Sequence, residues 1–410
     1  MSQSSTKNAA GAARGRRPWL KTRSAIGIDV GGRAVKAIQF GRDRFGDGAW
    51  RVTAAAEVPR DEVTQPAEAG QPNPAPQTRP TASLTPPEVQ RLMGTLERQG
   101  FSGLDVVLAV PNERVFSSML ELPPRSSNAP LEQIARMEVA RAHRFAPDSF
   151  EMGCWDLPAA ARATKQTPVM AVACTHADAA LVMNPFEAEG MNVCALDVRS
   201  AALVRACEPL LAQGTGGITG IVDLGWGSAT LSLMHQGVAI YGRTLGDSGI
   251  SKLYQTLAGR LGLEIEVIDY MLSDSGLAAR SGASAAHQDG AAHGPSHGVR
   301  KAKTATDAAG LIAAHFEAAV HELQVSLTYA QHQYPDTPLS RLLVVGGGGC
   351  IRGVTEHLRR TLGIDARSVA PTDVASCPEH VADKCTSPAL TAALGLARFG
   401  LVGQAGEGAG

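Results

Sequence analysis

The segment that most constrains this chain occurs twice. Ile26-Gly27-Ile28-Asp29-Val30-Gly31-Gly32 is a short apolar run that delivers an aspartate, turns on glycine and departs at Ala34–Phe40 as a second β-forming run. Ile221-Val222-Asp223-Leu224-Gly225-Trp226-Gly227 repeats the arrangement nearly half the chain later, and Thr230–Met234 departs in the same way. One such turn is an ordinary glycine hairpin. Two, each with an aspartate near the strand end, predict similar lobes facing each other across a cleft.

A tight glycine turn aims its backbone N–H groups into a concavity that suits phosphate oxygens. In that setting Asp29 and Asp223 face a shared, hydrated Mg²⁺. Lys36 is close enough in sequence to reach back toward a phosphate as a point charge. A third segment, Leu342–Val345, runs as a strand into Gly346-Gly347-Gly348-Gly349, with a helix from Val354. Glycines there let the backbone approach a flat ligand or a diphosphate, although tight packing alone also calls for them. Standing third in order, they are read as nucleotide contacts. No GxxxxGK[ST] is present, and strands rather than helices follow Gly31 and Gly225, so neither a P-loop nor a dinucleotide βαβ unit is expected.

A length of 410 residues suits two lobes or several subdomains, and 44 % hydrophobic content supplies their cores. With only 4 % aromatics, Ala, Val and Leu must do most of the packing. The formal net charge of −1 offers no field for steering toward nucleic acid. No apolar run approaches the roughly 20 residues that span a bilayer. Seven scattered cysteines without a CxxC pair read as buried, reduced thiols of a cytoplasmic protein.

Three low-complexity stretches divide the chain. Residues 1–22 are expected as a basic, disordered tail, 64–80 as a proline-rich loop, and 275–306 as a flexible insertion rich in Gly, Ala, Ser and His. The expected organisation is a first-lobe core over 23–100, an inserted small subdomain over 101–183, and a return to the first lobe over 184–217. A second lobe follows over 218–400, then a disordered tail over 401–410. Leu311–His332 is expected as a long amphipathic helix, and Leu390–Leu401 as a closing helix of small residues.

The ordered segments Asp29-Val-Gly-Gly, Asp223-Leu-Gly-Trp-Gly and Gly346–Gly349 resemble the two phosphate motifs and the adenosine motif of the actin, sugar kinase and chaperone ATPase superfamily. Over roughly residues 24–400 the likeness is to its FtsA/PilM branch, and within it to the PilM family of type IV pilus assembly proteins. Ala109-Val110-Pro111 before a strand ending in Leu122-Pro123 resembles that branch, as do the helix Ile134–Arg144 with Glu138, Phe145-Ala146-Pro147 and Trp155-Asp156. So do Arg243–Gly249 and the closing Ala392–Phe399 stretch.

The resemblance implies an actin-like two-lobed α/β fold with duplicated RNase H-like subdomains and a small inserted one. It implies ATP or ADP with Mg²⁺ in the cleft, contacted by Gly31, Gly32, Arg33, Lys36, Gly225, Gly227, Thr230, Gly249, Asp269, Gly346, Gly347 and Gly348. Asp29 and Asp223 face the metal. It implies a scaffold beneath the inner membrane, peripheral to it through the cytoplasmic N-terminal peptide of a PilN-like protein, and connected indirectly to the pilus motor ATPases. Self-association into a ring or platform belongs to the same reading.

Two positions depart from the family pattern. Arg33 stands where a small hydroxyl residue is usual, either donating to a phosphate or pointing into solvent. Leu272 stands where a Lys usually follows the Asp269 position. At most a weak ATPase is therefore expected, with no catalytic residue assigned. The alternatives on this fold are a small-molecule kinase, which needs a catalytic Asp beyond the two hairpin aspartates, and a GspL-like secretion platform protein, which continues into a transmembrane helix where Gly400–Gly410 here is polar.

Overall fold

The structure is a computed structural model and describes residues 22–42, 48–60, 83–158, 166–213, 216–246, 248–278 and 297–401. The N-terminal tail before Thr22, the 64–80 loop, the last residues from 402 and most of the expected insertion, with His287 and His293, lie outside the described residues.

Thirteen strands are described, in chain order β1 (Ile26–Val30), β2 (Ala34–Arg42), β3 (Trp50–Pro59), β4 (Asp105–Val110), β5 (Phe116–Leu122), β6 (Phe150–Asp156), β7 (Thr167–Thr175), β8 (Asn192–Val198), β9 (Ile218–Leu224), β10 (Ala229–His235), β11 (Val238–Leu245), β12 (Leu339–Val345) and β13 (Asp365–Ser368). Two five-stranded sheets share one plan: β3-β2-β1-β4-β8 and β11-β10-β9-β12-β13. In each, an antiparallel meander of three strands continues through two parallel ones. The duplication predicted from two short hairpins thus extends over whole sheets. The central strands are the most apolar because helices cover both faces, as parallel pairing demands.

The third sheet, β5-β7-β6, carries the helix Leu131–His143 on one face, around Val139, Ala140, Phe150, Ala171 and Ala173. It is narrower than the inserted subdomain expected over 101–183. β4 pairs with β1 inside the first sheet, and the helix His176–Ala188 sends Val182 and Phe186 into the core that holds Ile28 and Leu108. The residues between β4 and that helix form the insert.

The long helix runs over His297–Gln333, so its start falls within the expected insertion. Ala and Lys after Arg300 are strong helix formers, and Ala308, Ile312, Phe316, Val320, Leu323 and Leu327 give it one apolar stripe. Among the cysteines, Cys154, Cys194 and Cys350 are exposed and only Cys207 and Cys385 are buried, contrary to the expectation of seven buried thiols.

The lobes are joined at their base by a shared core. Ile38 and Phe40 of β2 pack with Ile221 of β9, Leu343 and Val345 of β12, and the closing helix Thr391–Ala397. Small residues there permit unusually close approach. A Cβ on Gly395 would lie 1.8 Å from the Ala202 carbonyl oxygen, and one on Gly27 would lie 2.2 Å from the Ala397 nitrogen.

Candidate functional site

Hydrogen-bond register builds both hairpins. In β1–β2, Asp29 stands opposite Lys36 and Val30 opposite Val35. The Gly31 N–H donates to the Ala34 carbonyl at 3.0 Å, which leaves Gly31 to Arg33 as the turn. In β9–β10, Asp223 stands opposite Thr230 and Leu224 opposite Ala229, so Gly225 to Ser228 form the second turn. Both strands are central, and their aspartates are only 1 % and 2 % exposed. Strand ends at such a crevice are where open α/β sheets place ligands.

The cleft between the turns has a volume of about 620 Å³. It is lined by Asp29, Gly31, Gly32, Arg33, Lys36, Asp223, Gly225, Gly227, Asp269, Gly347 and Gly348, which the sequence had scattered across the whole chain. Lys36 folds back over the first turn, where a Cβ on Gly31 would lie 2.7 Å from its Nζ.

Three expected contacts do not line the cleft. Thr230 faces a different groove. Gly249 packs beneath the second turn, where a Cβ would lie 2.4 Å from the Gly227 carbonyl oxygen. Gly346 adopts φ +82°, and a Cβ there would lie 2.3 Å from Asp223 Oδ1. Its freedom is spent on walling in that carboxylate.

Arg33 neither points into solvent nor waits for a phosphate. It crosses the cleft mouth to Asp269, with Nη1 donating to Oδ1 at 2.7 Å and Nη2 to Oδ2 at 2.5 Å. The guanidinium also stacks 5.3 Å from the Trp226 ring centroid and 5.2 Å from that of Tyr254. The Tyr254 hydroxyl donates to Asp269 as well. Burial, then its hydrogen bond to that carboxylate, push the Tyr254 hydroxyl well above its ordinary range. Burial alone would raise Asp269, but hydrogen bonds from Arg33 and Tyr254 outweigh it and hold the carboxyl below its usual value. Asp269, expected as a nucleotide contact, is thus engaged by the protein itself. Leu272, in the following turn, is 3 % exposed and belongs to the second-lobe core, where a lysine would be buried.

The floor holds a residue that the sequence reading did not single out. Arg199, first residue of the helix Arg199–Leu211 after β8, lies between the two hairpin aspartates. Its Nε donates to Asp223 Oδ2 at 2.6 Å, and its Nη1 donates to Asp29 Oδ1. Burial pushes the guanidinium down, yet the charges of Asp223 and Asp29 more than reverse this and raise it above its ordinary value. A signal for Arg199 existed: it immediately follows a strand parallel to β4, at the sheet end where the crevice opens.

This arrangement does not fit the Mg²⁺ expected between Asp29 and Asp223. The two carboxylates do converge, but a guanidinium already lies between them, on both oxygens of Asp223 and one of Asp29. Unit charges about 4 Å apart interact at about 4 kcal/mol for an effective dielectric near 20, and a divalent ion doubles that. Repulsion from Arg199 therefore offsets the attraction of a whole carboxylate. Among the described residues no cluster of three or more His, Cys, Asp or Glu side chains could hold a metal.

Residues 27–271 match the family model described as type IV pilus assembly protein PilM. Among solved structures, the chain is similar to a PilM-PilN type IV pilus biogenesis complex at 19 % identity and a TM-score of 0.68, covering 92 % of this chain and 98 % of that one. It also matches the ethanolamine utilization protein EutJ from Carboxydothermus hydrogenoformans (14 % identity, TM-score 0.49, 94 % and 92 % covered) and MreB 5 of Spiroplasma citri (10 %, 0.43, 89 % and 96 %). No curated protein matches. The architecture is the actin-like one, with its two duplicated sheets and a small inserted sheet.

Proposed function

The chain belongs to the PilM family of type IV pilus assembly proteins, and from that premise we propose that it is a cytoplasmic scaffold of type IV pilus biogenesis. It docks the N-terminal cytoplasmic peptide of a PilN-like inner-membrane protein and carries ATP or ADP in the cleft between its lobes. Family membership carries the pathway. No helix among the described residues is long and apolar enough to cross a membrane, so attachment to the inner membrane in this reading runs through the partner.

A second groove supports peptide docking. It has a volume of about 1180 Å³ and lies between the small sheet and the second lobe, with Met119, Met170 and Val172 on one side and Tyr241 and Tyr329 on the other. Met119 is 49 % exposed, an unusual degree for a methionine on a sheet. β5 is an edge strand that pairs only with β7 among the described residues, so its outer edge offers main-chain groups to an added extended peptide. Trp155 ties this sheet to the second lobe through Nε1 to the Ala239 carbonyl at 2.8 Å. The groove therefore keeps its shape between two anchored walls.

The nucleotide reading rests on the two glycine turns, Lys36 and Gly347-Gly348 meeting in one cleft. It asks for binding and not for rapid turnover.

Fluorescence anisotropy with a labelled synthetic N-terminal peptide of the PilN-like partner tests the docking. Met119→Arg is expected to weaken binding by at least about tenfold, as loss of a central apolar anchor does. Undiminished binding would move the peptide elsewhere on the molecule.

A further inference from the structure

Arg199 occupies a place that its own helix does not favour. A cation at the first helical position opposes the helix dipole, whose N-terminal end is positive. Its backbone is nonetheless held there. The Val198 N–H donates to Asp197 Oδ1 at 2.7 Å, and Asp197 also accepts from Arg205 at 2.7 Å. Arg205 in turn donates to the Gly395 carbonyl of the closing helix at 2.7 Å. What compensates the guanidinium is the aspartate pair, whose side chains are 2 % and 3 % exposed against 16 % for Arg199. From the far side Gly346 closes against Asp223. One oxygen, Asp29 Oδ2, is buried without a hydrogen-bond partner, while Arg199 engages its other oxygen and both oxygens of Asp223.

We infer that Arg199 is the resident cation of the Asp29–Asp223 pair, holding the place of a divalent metal and clamping the two hairpins together. The assignment concerns the aspartate pair itself. Its consequence for a nucleotide, that binding does not require a divalent ion on these aspartates, rests on the reading of the cleft given above.

Two measurements separate the assignment from that reading. In the first, Mn²⁺ alone is titrated into the full chain and the free-ion electron paramagnetic resonance signal is followed. The wild type and Arg199→Lys are expected to leave the signal unchanged. Arg199→Gln is expected to take up Mn²⁺, and Asp223→Asn in that background to abolish the uptake. Mn²⁺ uptake by the wild type that Asp223→Asn removes would overturn the assignment, as would an Arg199→Gln protein that folds by circular dichroism yet takes up none.

In the second, a fluorescent ATP analogue is titrated in Mg²⁺ and in EDTA. The wild-type affinities are expected to agree within about threefold, and those of Arg199→Gln to differ by more than about tenfold. A tenfold loss in EDTA for the wild type overturns the metal-free consequence. Absence of binding in both buffers, with the Mn²⁺ results as expected, upholds Arg199 and removes the nucleotide reading instead.

Discussion

Arginine crosses the cleft twice, at the floor and at the mouth. At the floor Arg199 joins Asp29 and Asp223 with side chains 16 %, 2 % and 3 % exposed. At the mouth Arg33 joins Asp269 with side chains 42 % and 38 % exposed. The mouth bridge has near-ideal bidentate geometry and two aromatic rings beneath it, yet water screens it. The floor bridge has lost its solvation, so removing its cation strands two like charges in a poorly solvated place. Burial, more than hydrogen-bond geometry, decides which bridge the fold depends on.

Arg199→Met tests this with the largest expected effect. A loss of about 3–5 kcal/mol in urea unfolding is expected, the range for a buried pair deprived of one partner. A loss below about 1 kcal/mol would erase the distinction between floor and mouth.

A bridge outside the cleft separates burial from location. Arg60 and Glu88 meet at 3.1 Å with both side chains 2 % exposed. Arg60 also donates to the Gly31 carbonyl at 3.2 Å and so steadies the first turn from behind. Glu88→Gln is expected to cost about 3 kcal/mol at neutral pH. Burial alone would raise the Glu88 carboxyl, but hydrogen bonds from the Thr85 backbone and from Arg60, with the charge of Arg60, hold it below its ordinary value. A carboxyl depressed by folding stabilises above its unfolded value, near about 4.3, and loses that contribution as pH falls through the lower folded value. The gap between wild type and Glu88→Gln should therefore be full at pH 7 and close in acid below about pH 4. A gap independent of pH would assign the loss to packing.

The smallest effect is expected at the mouth. Arg33→Ala should cost about 1 kcal/mol or less, the sum of a screened ion pair and exposed stacking. Raising the salt should shrink the ion-pair part further. A cost that matches Arg199→Met and resists salt would show that the mouth is as dry as the floor.

How much was legible follows the distance between partners along the chain. Each hairpin is local: Asp29 meets Lys36, and Asp223 meets Thr230, so glycine placement and strand pattern revealed both. The duplication was legible for the same reason. The arginine bridges were not, because Arg199 lies 170 residues from Asp29 and Arg33 lies 236 from Asp269. Only closure of the fold brings these groups together. β3 also gave no strand signal. Its Thr53-Ala54-Ala55-Ala56 run favours helix by propensity, and pairing along the whole length of β2 overrides that. Gly249 and Gly346 looked like ligand contacts because a glycine beside a backbone and one beside a phosphate read alike.

The closing helix Thr391–Ala397 has a consequence for synthesis. It is buried throughout and packs against β1, β2 and the helix Arg199–Leu211. β1 and β2 thus acquire one of their covering layers only from a segment synthesised long after them. Until then Ile38, Phe40 and Val107 are covered only in part, by the helix Arg199–Leu211. Folding of the first lobe therefore waits for that segment, and a nascent chain halted before Thr391 presents an apolar, half-covered sheet to chaperones and to other nascent chains.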